Sequence, residues 1–344
     1  MAIIKTYTLD DVYETAILLY VSEFTDAYFK KTAEGLDDLG LDGESFLKKH
    51  MAPVERYIAT FRRYRNVSDD FAKVFLKENS MEFYFFCVGL VAGHRQWLEH
   101  PQQVEESSII AAAFSDLAEF CGRDPGEEFS EEAYFSLLDE ADLPDEMKWR
   151  LMALRRHAKE WFLLLATAIA DHRVGFEEAA AAVEKSLDKL LKRYEEESPH
   201  RVEQLCEDLS DQDVAMIPSL AVPFTVFIEP EKRYCYCGLL SYLVPTPRQA
   251  ENLSDSALIL GLKALSDPGR LEIMRSLGYA SKYNLEIAKE MGLTAATMSH
   301  HMSLLLSCGF VSVSKGGGRV YYSLDREAVE RFLGSLRHKI LGIK

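Results

Sequence analysis

The spacing of apolar positions along the chain changes character several times. Residues 2–8 alternate like a strand, and Asp10-Asp11 then open a run with helical spacing that lasts to about residue 209. Inside that run, residues 177–196 predict one amphipathic helix, with Ala180, Val183, Leu187, Leu190 and Leu191 on a stripe opposite the charges. Residues 83–92 and 161–170 are almost wholly apolar. They fall short of the roughly 20 residues that span a bilayer, so they predict buried helices and no membrane partner. Breaks are expected at Asp124-Pro-Gly, Leu143-Pro and Ser198-Pro. Residues 214–244 turn β-branched and aromatic. Val222-Pro-Phe-Thr-Val-Phe-Ile228, a Glu-Pro-Glu-Lys turn and Tyr234-Cys-Tyr-Cys read as a hairpin, with residues 2–8 as its candidate partner.

Pro245-Thr-Pro-Arg-Gln-Ala-Glu-Asn is the best linker, and it divides the chain into domains at 1–248 and 252–344. Beyond it, Ser254 or Asp255 caps a helix through Leu265. Asp267 then caps another, with Pro268 at the first helical position and Leu271, Ile273, Met274 and Leu277 as its buried face. A short helix from about Tyr283 ends at Gly292, and Thr294 caps a second helix to Ser307. On that second helix Ala295, Met298, Met302 and Leu305 share an inner face. Ala296, Thr297, His300, Ser303 and Leu304 lie opposite, with Ser299 and His301 on the flanks. Phe310 to Ser314 and Val320 to Leu324 alternate as strands around Gly316-Gly-Gly318. A last helix, from Arg326 to Ile340, aligns Val329, Phe332, Leu333, Leu336 and Ile340 on one stripe that a small winged domain leaves partly uncovered, which predicts a partner helix. The expected fold is mainly α with small β elements: a helical N-terminal domain with a short sheet, then a winged helix-turn-helix.

Helix, turn, helix and glycine-tipped hairpin in this order fit the major groove of double-stranded DNA. Thr and Ser hydroxyls and a His ring bond base edges or phosphates, and a Thr methyl meets a thymine methyl. The expected DNA contacts are Thr294, Ala296, Thr297, Ser299, His300, His301, Ser303, Lys282, Lys289, Lys315 and Arg319. A groove-facing His300 predicts tighter binding below pH ~6.5. The plain alternatives are a solvated helical hairpin and an ordinary surface hairpin.

Charge sharpens this picture. The 344 residues carry a net −16, yet from residue 251 onward twelve Lys and Arg face nine Asp and Glu. That is +3, leaving −19 for the first 250 residues, so the end of the chain tolerates a polyanion better than the rest. No Lys or Arg lies between Lys289 and Lys315. With Arg270 held in reserve, four phosphate-touching cations per protomer would give a dimer a log–log salt slope of about −7. Six cysteines without a framework suit reduced thiols, and the opening residues carry no basic, apolar leader, so a cytoplasmic location is expected.

Residues from about 262 to 336 resemble the winged-helix domain of ArsR/SmtB-type bacterial repressors. The resemblance lies in Leu265-Ser-Asp-Pro-Gly-Arg-Leu-Glu-Ile-Met274, Glu286-Ile-Ala-Lys-Glu-Met-Gly292, Thr297-Met-Ser-His-His-Met302, Cys308-Gly-Phe-Val311 and Gly318-Arg-Val-Tyr-Tyr-Ser-Leu324. It implies a homodimer docked through terminal helices, an inverted-repeat operator and usually repression. By carry-over, Thr297, Ser299, His300 and His301 lie in the recognition helix and Arg319 in the wing. Metal-sensing members carry cysteines in the first helix of the pair, or Asp/His sets on the last. Here residues 283–291 lack cysteine and the last helix offers only Asp325 and His338, so no metal or other cofactor is expected.

Other chemistry is thin. Cys235 and Cys237 share one face of a strand, as a soft-metal or redox pair would, but such residues more often fill a sheet face. His94 with Trp97, or His157 with Trp161, would line a pocket or simply join the core. No phosphate loop, His-Glu-x-x-His or nucleophile elbow occurs, so no catalytic residue is expected. The reading is a dimeric DNA-binding regulator whose N-terminal domain takes a small-molecule or protein effector. The alternative is an N-terminal enzyme or interaction module whose winged helix serves protein contacts.

Overall fold

The structure, a computed structural model, describes residues 3–38, 41–77, 80–120, 130–141, 143–196, 213–229, 234–244, 255–292, 298, 301–302, 304–306, 308–316 and 319–342. Two compact units result. One gathers Met1–Phe29, Lys49–Phe120 and Pro125–Tyr242; the other gathers Lys30–Lys48, Cys121–Asp124 and Leu243–Lys344. The predicted linker lies outside the described residues. Lys30–Lys48, placed by the sequence in the N-terminal domain, groups with the C-terminal unit, where Lys263 Nζ donates to the Asp37 carbonyl at 2.7 Å.

The first unit is built around α1 (Asp11–Val21), which is buried on nearly every side from Tyr13 to Val21. Asp10 starts it by accepting the Tyr13 N–H at 2.8 Å. The helices that follow in the chain are α2 (Thr25–Asp38) and α3 (Gly43–His50), whose Lys30–Lys48 portion belongs to the second unit, and then α4 (Ala52–Arg62), α5 (Asp69–Phe75), α6 (Met81–Gly93), α7 (Glu106–Phe120), α8 (Glu131–Glu140), α9 (Asp145–Arg156), α10 (Ala158–Asp171), α11 (Arg173–Ala182) and α12 (Glu184–Glu196). Helices α4, α6, α10 and α11 enclose α1. The apolar runs expected to be buried helices are α6 and α10. No helix among the described residues is long and apolar enough to cross a membrane.

The single helix expected over residues 177–196 is two. Val183 is buried, and around it the bonds tighten to three-residue spacing, Val183 N to Ala180 O and Ser186 N to Val183 O. This tightening separates α11 from α12, on which Leu187, Leu190 and Leu191 are half-buried.

A four-stranded sheet closes the unit in the order β1 (Ile3–Lys5), β2 (Val214–Ser219), β4 (Tyr234–Gly238), β3 (Val226–Glu229). The expected hairpin is the antiparallel β3–β4 pair, registered Val226 to Cys237. Residues 3–5 join the sheet, but against β2 and in parallel rather than against the hairpin. Helix and sheet are bolted together at α1. The Tyr13 and Tyr236 rings stack at 3.6 Å, Tyr236 Oη donates to Asp10 at 2.9 Å, and Arg95 pairs with the same carboxylate.

The second unit contains α13 (Asp255–Leu265), α14 (Pro268–Leu277), β5 (Lys282–Tyr283), α15 (Asn284–Met291), β6 (Val311–Gly316), β7 (Arg319–Leu324) and α16 (Arg326–Leu341). Its core joins Leu260, Ile273, Met274, Leu277, Ile287 and Phe310 to Phe332 of α16. Leu271, expected inside, is 44% exposed. It lies beyond the Ile273–Met274–Leu277 stripe that already fills the contact.

Candidate nucleic-acid interface

The helix pair is set by three local devices. Asp267 caps α14 by accepting the Arg270 N–H at 2.9 Å, with Pro268 at the first helical position. Tyr283 N–H donates to Glu286 Oε2 at 3.1 Å and fixes the start of α15. Gly292 then ends α15 at φ 65°, a left-handed turn that a side chain would strain.

Past that turn, Met298, Met302 and Leu305 are buried in the unit's core, so this is the inner face of the second helix, as the spacing predicted. Leu304, expected on the outer face, is also buried, because its apolar side chain is drawn into the same core. Thr294, Ala296, Thr297, Ser299, His300 and Ser303 lie outside the described residues.

The wing is the β6–β7 pair, registered from Val311–Leu324 to Gly316–Arg319. Lys315 pairs with Val320, so Lys315 and Arg319 stand on the last two rungs before the tip. A third strand carried no sequence signal: β5 pairs Lys282 with Tyr322 and Tyr283 with Tyr321. Two residues are too few to show a period, yet they tie the wing to the start of α15.

The cations sort into two groups. Lys289 is exposed on α15. Lys282 is engaged inside the unit, with Nζ donating to Ser276 Oγ at 2.7 Å and pairing with Glu290. The Lys282 hydrogen bond, then that of Ser276, holds the Glu290 carboxyl below its usual range. Arg270, the reserve cation, donates to the Ala264 and Lys263 carbonyls at 2.8 and 2.9 Å, capping α13. His301, expected on an outer flank, turns instead toward Asp267, with its side chain 12% exposed and Nδ1 3.9 Å from Oδ1.

The expected dimerisation stripe divides as well. Phe332 is fully buried in its own unit, and Val329 and Leu336 pack against the same core. Phe332 is therefore corrected to an internal residue, held where α16 crosses Gly261 of α13, whereas Val329 and Leu336 are only half-buried. Leu333 and Ile340 remain exposed at 51% and 69%, joined by Leu341 at 60% and, on α13, Ile259 and Leu262 at 47% and 45%.

The remaining candidates are locally engaged. Cys235 and Cys237 are buried in β4, with Cys237 Sγ 3.5 Å from Ser241 Oγ. His94 stacks on Trp97 at 4.2 Å and bonds the Leu90 carbonyl; His157 stacks on Trp161 at 5.7 Å and bonds Glu160. Among the described residues no group of three or more His, Cys, Asp or Glu is placed to hold a metal ion.

Comparison with known proteins points to the same segment. Residues 267–313 match the model of the bacterial regulatory protein family arsR. Over 91 residues the chain is 34% identical to the HTH-type transcriptional regulator CmtR of Mycobacterium tuberculosis (strain ATCC 25618 / H37Rv), which takes in 26% of this chain and 77% of that protein. Over 69 residues it is 33% identical to the arsenical resistance operon repressor of Staphylococcus xylosus, covering 20% of this chain and 66% of the relative. The crystal structure of NolR from Sinorhizobium fredii aligns with 24% of this chain and 84% of its own at 28% identity, with a TM-score of 0.21.

Proposed function

This chain belongs to the arsR family of bacterial regulatory proteins through its C-terminal unit, and from that premise we propose that it is a dimeric repressor that binds an inverted-repeat operator. One observation carries the reading: helix pair and wing share a single core and a β5–β7 clasp, so they form one preorganised surface. Thr294, Ala296, Thr297, Ser299, His300 and Ser303 supply the base and phosphate contacts. Lys289, Lys315 and Arg319 supply the charge, Arg319 from the wing.

Two copies join through the outer faces of α13 and α16, where Ile259, Leu262, Leu333, Ile340 and Leu341 are exposed on helices whose inner faces are already filled. The N-terminal domain, about residues 1–248 as read from the sequence, is the sensing or assembly part. An effector there acts by favouring one spacing of the two reading helices.

Selection of bound duplexes from a random DNA pool by the full-length protein tests this. The expected product is a near-palindrome with half-site centres about 34 Å apart. Enrichment of no sequence at all would replace it with the reading in which the winged helix serves protein contacts.

A further inference from the structure

His301 lies on the same helix that buries Met298, Met302 and Leu305, yet its ring is withdrawn from solvent over the first turn of α14. A Cβ added at Gly269 would meet its Nε2 at 3.6 Å, and Nδ1 is 3.9 Å from Asp267 Oδ1. The same Oδ1 accepts the Arg270 N–H at 2.9 Å. One carboxylate therefore both caps α14 and faces the reading helix.

We propose that His301 and Asp267 form a pH-dependent clasp that fixes the tilt of the reading helix against α14. In this account His301 is a positioning residue and not a base or phosphate contact. The inference rests on the DNA-reading function proposed above.

A neutral imidazole at this separation gains little from the carboxylate. An imidazolium gains a charge–charge attraction, with its own ring 12% exposed and the Asp267 side chain 34% exposed. Two positive features oppose it. The N-terminus of α14 carries about half a unit charge, and Arg270 stands beside Asp267. The first is smaller than the full charge on Asp267 and is already matched by it. The second donates to the Ala264 and Lys263 carbonyls, and its charge acts on Asp267 alongside that of His301. Lys263, the other cation nearby on α13, reaches to the Asp37 carbonyl.

The Arg270 N–H, then the Arg270 and His301 charges, hold the Asp267 carboxyl below its usual range, so it stays ionised at neutral pH. His301 is then the member that changes charge between pH 6 and 8. A histidine that gains an acidic partner holds its clasp at low pH and releases it as pH rises. The pH effect that the sequence attached to His300 thereby moves to His301.

The test begins without DNA, on the full-length protein. The His301 ring signal is followed by NMR from pH 5 to 9, assigned by its loss in His301→Gln. Asp267→Asn keeps a good helix cap while removing the charge. The His301 midpoint should fall by about half a unit to one unit in that variant. A midpoint indifferent to Asp267→Asn overturns the clasp.

The second arm measures affinity for the selected duplex at pH 6 and 8 and constant ionic strength. Wild type should bind roughly 3- to 10-fold tighter at pH 6, in line with a shift of about one unit. His301→Gln and Asp267→Asn should both lose that ratio. His300→Gln should keep the ratio, whatever it does to affinity at pH 8. Loss of the ratio in His300→Gln alone would return the effect to a direct contact. If no duplex is bound at any pH, the DNA-reading function fails, while the NMR arm still judges the clasp.

Discussion

At the scale of single residues, two positions show how little latitude the fold leaves. Gly261 sits where α13 crosses α16, and a Cβ there would stand 2.2 Å from Phe332 Cε2. Gly261→Ala should therefore lower stability by about 1–3 kcal/mol through overpacking. The check is denaturant unfolding of the full chain, and an unchanged midpoint would show that Phe332 is free to move. Glu14 is the opposite case, a carboxylate sealed inside the first unit. It accepts Ser219 Oγ at 2.5 Å, Tyr57 Oη at 2.9 Å, and the Ala221 and Leu220 N–H groups at 3.1 and 3.2 Å. Burial pushes its pKa up to about 7, with the Ser219, Tyr57 and backbone hydrogen bonds pulling the other way. A carboxyl raised in the folded state takes up a proton on folding. Its contribution is complete below the ordinary carboxylate range and is lost as pH rises through about 7. Stability of the first unit should thus fall between about pH 4.5 and 7, and Glu14→Gln should flatten the profile. Identical profiles for the two proteins would contradict this.

At the scale of elements, the outer faces of α13 and α16 carry the proposed dimer. The double variant Leu333→Glu, Ile340→Glu places charge on positions the protomer itself leaves exposed. Sedimentation should show a monomer in place of a dimer, with the winged-helix fold retained by circular dichroism. A dimer that persists would mean that the joint lies elsewhere. Which elements could be read from sequence follows from how local their causes are. Asp267-Pro268 begins a helix and Gly292 ends one, each by chemistry within a few residues. The buried faces of the second helix and of α14 followed from spacing alone, apart from Leu271 and Leu304. What escaped were pairings between distant parts. The parallel match of Ile3 with Val214 joins the two ends of one unit, and β5 is too short to show a pattern. The stripe on α16 was real, but spacing could not tell which of its members the protomer uses for itself. Nor could it show that Lys282 and Arg270 are claimed by Glu290 and by the end of α13.

For the whole molecule, the decisive quantity is how little positive charge is left for DNA. With Lys282 and Arg270 engaged, the proposed phosphate contacts are Lys289, Lys315 and Arg319, six cations per proposed dimer, and the log–log salt slope should be about −5 rather than −7. A slope near −2 would remove the wing from the contact. In the proposed function, modest charge puts the burden of recognition on Thr, Ser and His side chains, which would read sequence more than they add affinity. That claim is tested most directly by equilibrium affinity of the full-length protein for its selected duplex against a scrambled one, repeated with Thr297→Ala and Arg319→Ala. Wild type should prefer its own duplex by about a thousandfold or more. Thr297→Ala should erode that preference, whereas Arg319→Ala should weaken binding to both duplexes. Equal affinity of the wild-type protein for the two duplexes would contradict the account at its root.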